Sequence, residues 1–257
     1  MKLIAGVVFM SMLCLAPGYS VASGCPKAVR VALPNFPVPP LIYGTTEVEE
    51  PPGSMVIWAR SALSSGDCKP LISIRRLPVK RLLAELKANT VDVAPGFAPT
   101  SPNLAVLVFP RRGKELDVSL IIIHDRLSLY VRADDLATKW NGKHLNIAQP
   151  RIGISAGIAA TKVEAEKRGW LVDEAGNPQS NLAKLKAHRI DAILEPDVWF
   201  ETYLNTVPEQ RASIRKLEPQ VSSIDRYAPV SIGFYGSYPE YTRQFWQAMR
   251  RQSTAAN

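Results

Sequence analysis

The sequence predicts an α/β protein built of two lobes, each a mixed, mostly parallel sheet flanked by helices. Short β-branched runs alternate with helical stretches along the chain, which is the pattern of parallel strands joined by crossover helices. The alternation restarts after about residue 127, so the two halves share a layout without a close repeat of sequence. With 257 residues, 46% of them hydrophobic and 21% charged, the chain is large enough to form both lobes.

The first half is predicted to run strand, helix, strand, helix, strand. Pro34 ends the first strand and Pro95 ends the third, because proline cannot donate a hydrogen bond to a strand ladder. The predicted strands span residues 29–33, 72–74 and 91–94, and the predicted helices span residues 54–63 and 80–88.

The second half repeats this alternation and closes with a helix. Gly157 and Gly169 bound its first helix, and Pro196 stops a strand. Pro239 falls in the first turn of the last helix, where the missing N–H has no intrahelical partner to lose. The predicted strands span residues 127–131, 151–154, 190–194 and 230–234, and the predicted helices span residues 160–167, 182–187, 198–204 and 239–250.

The first 22 residues have the features of a secretory signal peptide. Lys2 precedes an apolar run over residues 3–16, and the small residues Ser20 and Ala22 frame a cleavage site. The run is shorter than the roughly 20 residues that span a bilayer, and no later stretch approaches that length. We therefore expect an exported, periplasmic protein that is soluble after cleavage.

Cysteine usage indicates one disulfide bond. Cys14 leaves with the signal peptide, and the remaining pair, Cys25 and Cys68, is expected to be oxidised outside the cytoplasm. The alternative is a lipoprotein, since residues 21–25 loosely match a processing site that would lipidate Cys25 and leave Cys68 as a free thiol. Ala22 stands where such sites usually carry leucine, which favours the disulfide.

The charge balance favours small anionic partners over nucleic acid. The chain carries 31 Lys and Arg against 23 Asp and Glu, a net charge of +8, or +7 without Lys2. Its arginine pairs are scattered and lack the interleaved aromatic residues of single-strand binders, so no nucleic acid is expected. The histidines, His124, His144 and His188, have no second ligand at metal spacing, so neither a metal nor a cofactor is predicted.

Several segments carry a family resemblance. RRLPVKRLLAELKANTVDVAPGF, residues 75–97, resembles the first-lobe core of type 2 periplasmic solute-binding proteins, the group related to polar amino-acid binders. In the second half, LYVRADD resembles the crossing strand, RIGISAG a strand with its glycine turn, and LAKLKAHRIDAILEP the helix and strand that close the lobe. VSIGFYGSYPEYTRQFWQAM, residues 230–249, resembles the return strand and final helix. The order and spacing of these segments carry the resemblance.

The resemblance implies a hinged clamshell that closes on a solute. Lobe one would comprise residues 23–127 and 232–257, and lobe two residues 128–231. Ligands of open α/β sheets bind beyond the carboxyl ends of strands. The candidate ligand-binding residues at those ends are Phe36, Arg76, Phe97, Thr100, Asn103, Ser155, Gly157, Glu195 and Asp197.

Two positions depart from the amino-acid binders of this family. Those proteins usually carry an arginine after the third strand that clamps the ligand carboxylate. This chain has Asn103 there, which cannot offer a carboxylate two cationic donors. Ile158 replaces the serine or threonine that often follows the glycine turn. Ordinary α-amino acids are therefore less expected as ligands, unless Arg76 or the pair Arg111-Arg112 compensates.

The leading hypothesis is a monomeric solute-binding protein, not an enzyme. It would capture a small polar solute, with anionic solutes favoured by the charge, for an ABC importer or a membrane sensor. One alternative is a periplasmic accessory protein that binds a protein partner, and another is a dehydratase-like enzyme with Glu195 as general acid. Residues 153–157 also match the G-x-S-x-G nucleophile elbow, but its partners, Asp173 and His188, lie too close together in sequence for that class of hydrolase.

Overall fold

A computed structural model describes residues 24–255, so the predicted signal peptide at residues 1–22 lies outside the described residues. The two-lobed α/β architecture is confirmed, with helices packed against the sheet of each lobe. The chain builds most of lobe one, then lobe two, and returns to lobe one at its end.

The first pass through lobe one follows the predicted alternation. Its elements are β1 (Ala28–Pro34), α1 (Ser54–Leu63), β2 (Leu71–Leu77), α2 (Val79–Lys87), α3 (Ser101–Leu104), β3 (Leu107–Val108), β4 (Arg111–Arg112), β5 (Glu115–Leu116) and a 3-10 turn (Val118–Leu120). Leu82 and Leu86 lie on one face of α2 and are fully buried, which is why this short stretch forms a helix against the sheet.

The sheet of lobe one is built around β1. β1 and β2 pair in parallel, from Ala28 opposite Leu71 to Pro34 opposite Leu77. The predicted strand at residues 91–94 lies on the other side of β1, but it pairs only through isolated bridges at Val93. Its backbone is nevertheless bonded on both sides, because Ala32 N donates to the carbonyl oxygen of Val93 at 3.0 Å and Ala94 N donates to that of Pro229 at 3.1 Å.

Lobe two holds the longer sheet. Its elements are β6 (Ile123–Arg132), β7 (Arg151–Ser155), α4 (Ala159–Lys167), β8 (Leu171–Ala175), α5 (Pro178–Lys186), β9 (Ala192–Pro196), α6 (Asp197–Asn205), α7 (Pro208–Ala212), β10 (Ile214–Lys216) and β11 (Ser222–Arg226). The strand order is β10-β6-β9-β7-β8, with β11 also on β6. β7 runs parallel to β8 and β9, whereas β6 is antiparallel to its neighbours, so the sheet is mixed as predicted.

The return to lobe one differs from the prediction. The strand predicted at residues 230–234 ends early: β12 (Val230–Ser231) pairs with β3 and is followed at once by α8 (Ile232–Ser237) and then α9 (Pro239–Ala255). Ser231 Oγ accepts a hydrogen bond from Phe234 N at 3.2 Å, so the serine caps a helix where the apolar run alone indicated more strand.

Two strands begin a few residues before the lobe boundaries that the resemblance implies. β6 begins at Ile123, before residue 127, and pairs with β11 from its first residue. β12 lies in the sheet of lobe one, ahead of the predicted boundary at residue 232. The continuous apolar run before β6 conceals its start, since a run without alternation marks no strand end.

Each lobe has its own apolar core. In lobe one, α1 and α9 pack together, and Trp58, Phe245 and Met249 lie buried between them and the sheet. Cys25 and Cys68, which precede β1 and β2, are joined in a disulfide with a Cα–Cα distance of 5.5 Å. The predicted disulfide is therefore confirmed, and Cys25 has no free sulfur to accept a lipid. Among residues 24–255, no helix is both long enough and apolar enough to cross a membrane.

Candidate functional site

A buried ion pair lies where the chain crosses between the lobes. Arg226, at the end of β11, and Asp125, in β6, sit on neighbouring antiparallel strands and are 2% and 4% exposed. Arg226 Nε donates to Asp125 Oδ2 at 3.0 Å, and Nη1 donates to the Gly96 carbonyl oxygen at 2.9 Å. Nη2 has no hydrogen-bond partner among residues 24–255. Burial lowers the pKa of Arg226 and the carboxylate of Asp125 opposes that shift, so the guanidinium stays charged.

Trp199 covers this arginine. The side chain comes from the first turn of α6, and the guanidinium carbon of Arg226 lies 4.4 Å from its ring centroid, within the range of a cation–π contact. The edge of the ring meets Phe36 of lobe one, with 5.2 Å between the two centroids. Asp125 fixes the start of α6, because its Oδ1 accepts from Val198 N at 3.1 Å. The contact between Phe36 and Trp199 therefore joins the two lobes directly above the ion pair of Arg226 and Asp125.

Beneath Trp199 is an inner cavity of about 20 Å³, which is room for about one water molecule. Both lobes contribute to its wall, which consists of Val79, Gly96, Phe97, Ala98, Asn103, Gly157, Ile158, Ala159, Ala160, Trp199 and Arg226. The lobes touch at Gly157, whose φ is +88°. A Cβ there would stand 2.9 Å from Val79 Cγ1 and 3.1 Å from Lys80 N, so only glycine permits this approach.

The start of α4 faces the same cavity. The first N–H groups of any helix lack intrahelical acceptors and attract anions. Ile158, the N-cap residue, has no polar side chain to cap them, and the first intrahelical bond is donated by Lys162 N to its carbonyl oxygen. Because Ala159 and Ala160 line the inner cavity, their backbone lies on the same wall as Arg226.

A larger cavity, which we call the lateral groove, adjoins the inner one. Its volume is about 410 Å³, and it lies between α2 and α3 of lobe one and α4 of lobe two. Its lining residues are Lys80, Leu83, Pro102, Asn103, Val106, Ile154, Gly157, Ile158, Ala159, Lys162, Val163, Glu166 and Glu174. Lys80 Nζ of lobe one lies 2.7 Å from Glu174 Oε2 of lobe two, so an ion pair joins the lobes at its rim.

The predicted site residues are only partly brought together. Phe97, Asn103 and Gly157 line the inner cavity. Phe36 does not line it but contacts Trp199, which does. Asn103 Nδ2 donates to the Ala98 carbonyl oxygen at 2.9 Å.

Arg76 has another role. It is 7% exposed, and its guanidinium donates to carbonyl oxygens of the loop that follows β1, at Pro34, Phe36, Tyr43 and Gly44. Arg111 and Arg112 lie exposed in the β4–β5 hairpin. None of these arginines lines either cavity in the described part of the chain, so the structure supplies a cation that the sequence did not single out, Arg226.

The two acids at the end of β9 and the start of α6, Glu195 and Asp197, are turned into lobe two. Asp197 accepts from Tyr130 Oη at 2.9 Å and Lys216 Nζ at 2.5 Å, with Arg126 Nε at 3.1 Å. Glu195 is 2% exposed and accepts from Asn181 Nδ2 at 3.4 Å. Neither acid is among the residues that line the two cavities of the described chain.

Two of the predicted ligand-binding residues carry hydroxyl groups that do not line the inner cavity or the lateral groove of the described chain. Thr100 Oγ1 and Ser155 Oγ are buried and have no hydrogen-bond partner within residues 24–255. The acid and the base that a nucleophile elbow would need are engaged elsewhere: Asp173 pairs with Lys184 at 2.5 Å, and His188 lines a surface pocket with Lys186. These residues do not assemble a nucleophile elbow with its acid and base. The described residues also hold no cluster of three or more His, Cys, Asp or Glu side chains suited to a metal ion.

Glu195 should make stability depend on pH. Burial raises the pKa of its carboxyl group from about 4.5 to about 7, against the opposing effect of Ser155 and Asn181. The folded state then holds a proton that the unfolded state releases, so the contribution of Glu195 to stability is fully present below about pH 4.5 and is lost as the pH rises through about 7. The loss is about 3 kcal/mol, because each pKa unit corresponds to about 1.4 kcal/mol.

Glu195→Gln removes this titration while keeping the shape of the side chain. Urea unfolding at pH 5, 6, 7 and 8 should show the native protein weakening relative to Glu195→Gln as the pH rises. Parallel curves for the two proteins would show that Glu195 ionises normally in the fold.

Three residues of the site escaped the sequence analysis: Asp125, Trp199 and Arg226. Charged residues inside the crossing strands were the available signal for the ion pair, since strand charges are seldom buried unless paired. Trp199 follows Pro196, the residue predicted to stop a strand, by three positions, which was the corresponding signal for the aromatic cover.

Comparison with known proteins supports the fold. No protein-family model matches this sequence, and no curated protein sequence matches it. Among solved structures, a mutant of ArgBP from T. maritima superposes with a TM-score of 0.67 at 15% identity, covering 90% of this chain and 91% of that chain. The GluR0 ligand-binding core from Nostoc punctiforme, in complex with L-glutamate, gives 0.66 at 14% identity, with 89% and 94% covered.

A substrate binding protein of an amino acid ABC transporter gives a TM-score of 0.63 at 16% identity, covering 88% of this chain and 92% of that chain. At such identities the similarity concerns the fold. This chain has the two-lobe fold of type 2 periplasmic binding proteins, as the resemblance of its segments predicted.

Proposed function

We propose that this protein is an exported solute-binding protein that closes on a small solute bearing a carboxylate or another anionic group. One observation carries the proposal: Arg226 is buried between the lobes with Nη2 unpartnered among residues 24–255, on the wall of a cavity that the start of α4 also lines. The similarity to binding proteins, one of them from an ABC transporter, supports a role in import.

The energetics of Arg226 favour an anionic ligand. A buried polar group without a partner costs about 1–3 kcal/mol, and more when it is charged. A carboxylate oxygen at Nη2 would recover that cost. The N–H groups at the start of α4 would add about 0.3–1 kcal/mol by favouring negative charge. Both contributions come from lobe two and the crossing strands, while Asn103 and Phe97 complete the wall from lobe one.

Closure would bring these parts together. Two contacts join the lobes in this structure, one between Phe36 and Trp199 and one between Lys80 and Glu174, and separation of the lobes would break both. A solute that stabilises this arrangement would therefore report its presence as a change of shape, which either an importer or a membrane sensor can read.

The proposal is tested by a thermal-shift screen of the purified protein against monocarboxylates, dicarboxylates, amino acids and polyamines. A ligand at 100 times its Kd should add about 2.7 kcal/mol of stability and raise Tm by several degrees. Carboxylates should do so and polyamines should not. Stabilisation by polyamines alone would contradict an anionic solute.

Arg226→Lys is the variant that tests the site. Lysine keeps the charge but loses the planar fork that can serve Asp125 and a ligand together, so carboxylate affinity should fall about 10- to 100-fold by calorimetry. Arg76→Lys is the matched control, since Arg76 is also buried but binds only loop carbonyl oxygens. It should lower Tm and leave the Kd unchanged. Equal Kd values for native protein and Arg226→Lys would overturn the assignment.

An accessory role is the second candidate, favoured by one observation. The inner cavity has only about 20 Å³ under Trp199, which excludes a whole amino acid from that space. A protein that keeps the clamshell to bind a protein partner has no need of a larger cavity. If no small molecule in the screen shifts Tm and one periplasmic protein is captured stoichiometrically by the immobilised chain, the accessory role replaces solute binding.

A further inference from the structure

We infer that the solute is an organic anion with an apolar body, whose carboxylate binds Arg226 and whose body fills the lateral groove. This inference rests on the proposed function and specifies the class of solute. It differs from the small polar solute that composition alone suggests, because the space available beside the charged anchor is apolar.

The two cavities are direct neighbours. Asn103, Gly157, Ile158 and Ala159 belong to the walls of both. The inner cavity holds about one water-sized group, which is the size of a single carboxylate oxygen. Everything else in the molecule must therefore extend past Ile158 into the groove, whose volume of about 410 Å³ lies in the range of small-molecule sites.

The polar groups of the groove already have partners. Glu174 is paired with Lys80 at 2.7 Å and with Lys162 at 3.1 Å, and Lys162 also approaches Glu166 at 4.0 Å. Asn103 donates to a backbone carbonyl oxygen. A second charge on the ligand would have to displace one of these bonds, so the charged residues at the rim disfavour a zwitterion or a dicarboxylate.

The remaining wall is apolar and comes from both lobes. Leu83 and Val106 project from lobe one, and Ile154, Ile158 and Val163 from lobe two. Val163 is 36% exposed although it is a β-branched apolar residue on α4. Covering such a wall with methylene groups removes apolar surface from water, and full burial of each methylene strengthens binding about fourfold.

The first test is a calorimetric series with butanoate, hexanoate, octanoate and 6-aminohexanoate. Affinity should rise with chain length, by up to about fourfold for each added methylene. 6-Aminohexanoate has the six-carbon chain of hexanoate with an ammonium group added at its far end, and it should bind at least about tenfold more weakly than hexanoate. Equal affinity for the three fatty acids, or preference for 6-aminohexanoate, would overturn the inference.

Paired variants locate the effect. Val163→Asn should weaken octanoate binding about tenfold and leave butanoate unchanged, because only the longer chain extends along the lateral groove as far as Val163. Leu171→Asn is the matched control: Leu171 is another exposed apolar residue of lobe two, at 46% exposure, and it does not line the groove in the described structure. It should change neither affinity. Octanoate binding that Val163→Asn does not alter would contradict the inference.

The series also separates the two proposals. If Arg226→Lys weakens butanoate while affinity does not depend on chain length, the anionic site stands and the apolar groove is wrong. If no carboxylate binds at all, both proposals fall.

Discussion

Replacing Asp125 with alanine should lower the free energy of unfolding by about 3–5 kcal/mol. The side chain of Asp125 is fully buried and that of Arg226 is 3% exposed, so removing the carboxylate leaves a positive charge inside the protein with no other carboxylate of residues 24–255 at hydrogen-bond distance. The same substitution also removes the acceptor at the start of α6, where Val198 N donates to Asp125 Oδ1. Urea unfolding at pH 7 measures the loss.

The exposed pair of Glu240 and Arg243 provides the control. Its atoms approach to 2.7 Å, but the side chains are 48% and 51% exposed, and such surface pairs contribute about 0–1 kcal/mol. Glu240→Ala should therefore have little effect. A double variant, Asp125→Leu with Arg226→Met, should recover much of the stability, because apolar residues can replace a buried ion pair. If Asp125→Ala lowered the free energy of unfolding no more than Glu240→Ala does, the buried pair of Asp125 and Arg226 would not stabilise the fold.

Removing the disulfide by Cys25→Ser with Cys68→Ser should cost about 4 kcal/mol. The bond closes a loop with a sequence separation of 43, and in the chain-entropy model the cost of leaving such a loop open grows with the logarithm of its length. The loss arises mainly in the unfolded state, so the folded lobes should keep their circular-dichroism spectrum while Tm falls.

Dithiothreitol offers an independent measurement of the same quantity. It should lower the Tm of the native protein to that of the double serine variant and leave the variant unchanged. Thiol titration of the native protein after denaturation should find no free Cys25 or Cys68. A reactive thiol at Cys68, together with a lipid on Cys25, would show that the two cysteines are not joined.

Local chemistry made most of the elements predictable. The helix expected at residues 54–63 is observed as Ser54–Leu63, and the strand at residues 151–154 is observed as Arg151–Ser155. Both elements are bounded by a glycine that is visible in the sequence, since Gly53 precedes the helix and Gly157 follows the strand. The error at residues 230–234 has the opposite cause, because a short apolar run fits a strand or a buried helix equally well and only the cap at Ser231 distinguishes them.

The site was less predictable than the fold. Three residues chosen from strand ends, Phe97, Asn103 and Gly157, line the inner cavity, because the carboxyl ends of sheet strands converge between the lobes. The same rule selected Arg76, whose guanidinium instead binds the loop after β1. Position along a strand does not determine which way a long side chain turns. The rule therefore identifies the region of a site but not the side chains that contact a ligand.

The amino-acid sequence was sufficient to predict the α/β class and the two-lobe order, and it favoured the disulfide between Cys25 and Cys68 that the structure contains. Hydrophobic periodicity and turn residues are local signals that extend over a few positions, so they can be recognised in the sequence without knowledge of the tertiary structure. The tertiary structure alone decided that Arg226 stands under Trp199 with one nitrogen unpartnered among the described residues. Arg226 and Asp125 are a hundred residues apart in the chain and become neighbours only when β11 pairs with β6, so the charge at the centre of this site depends on register and not on local sequence.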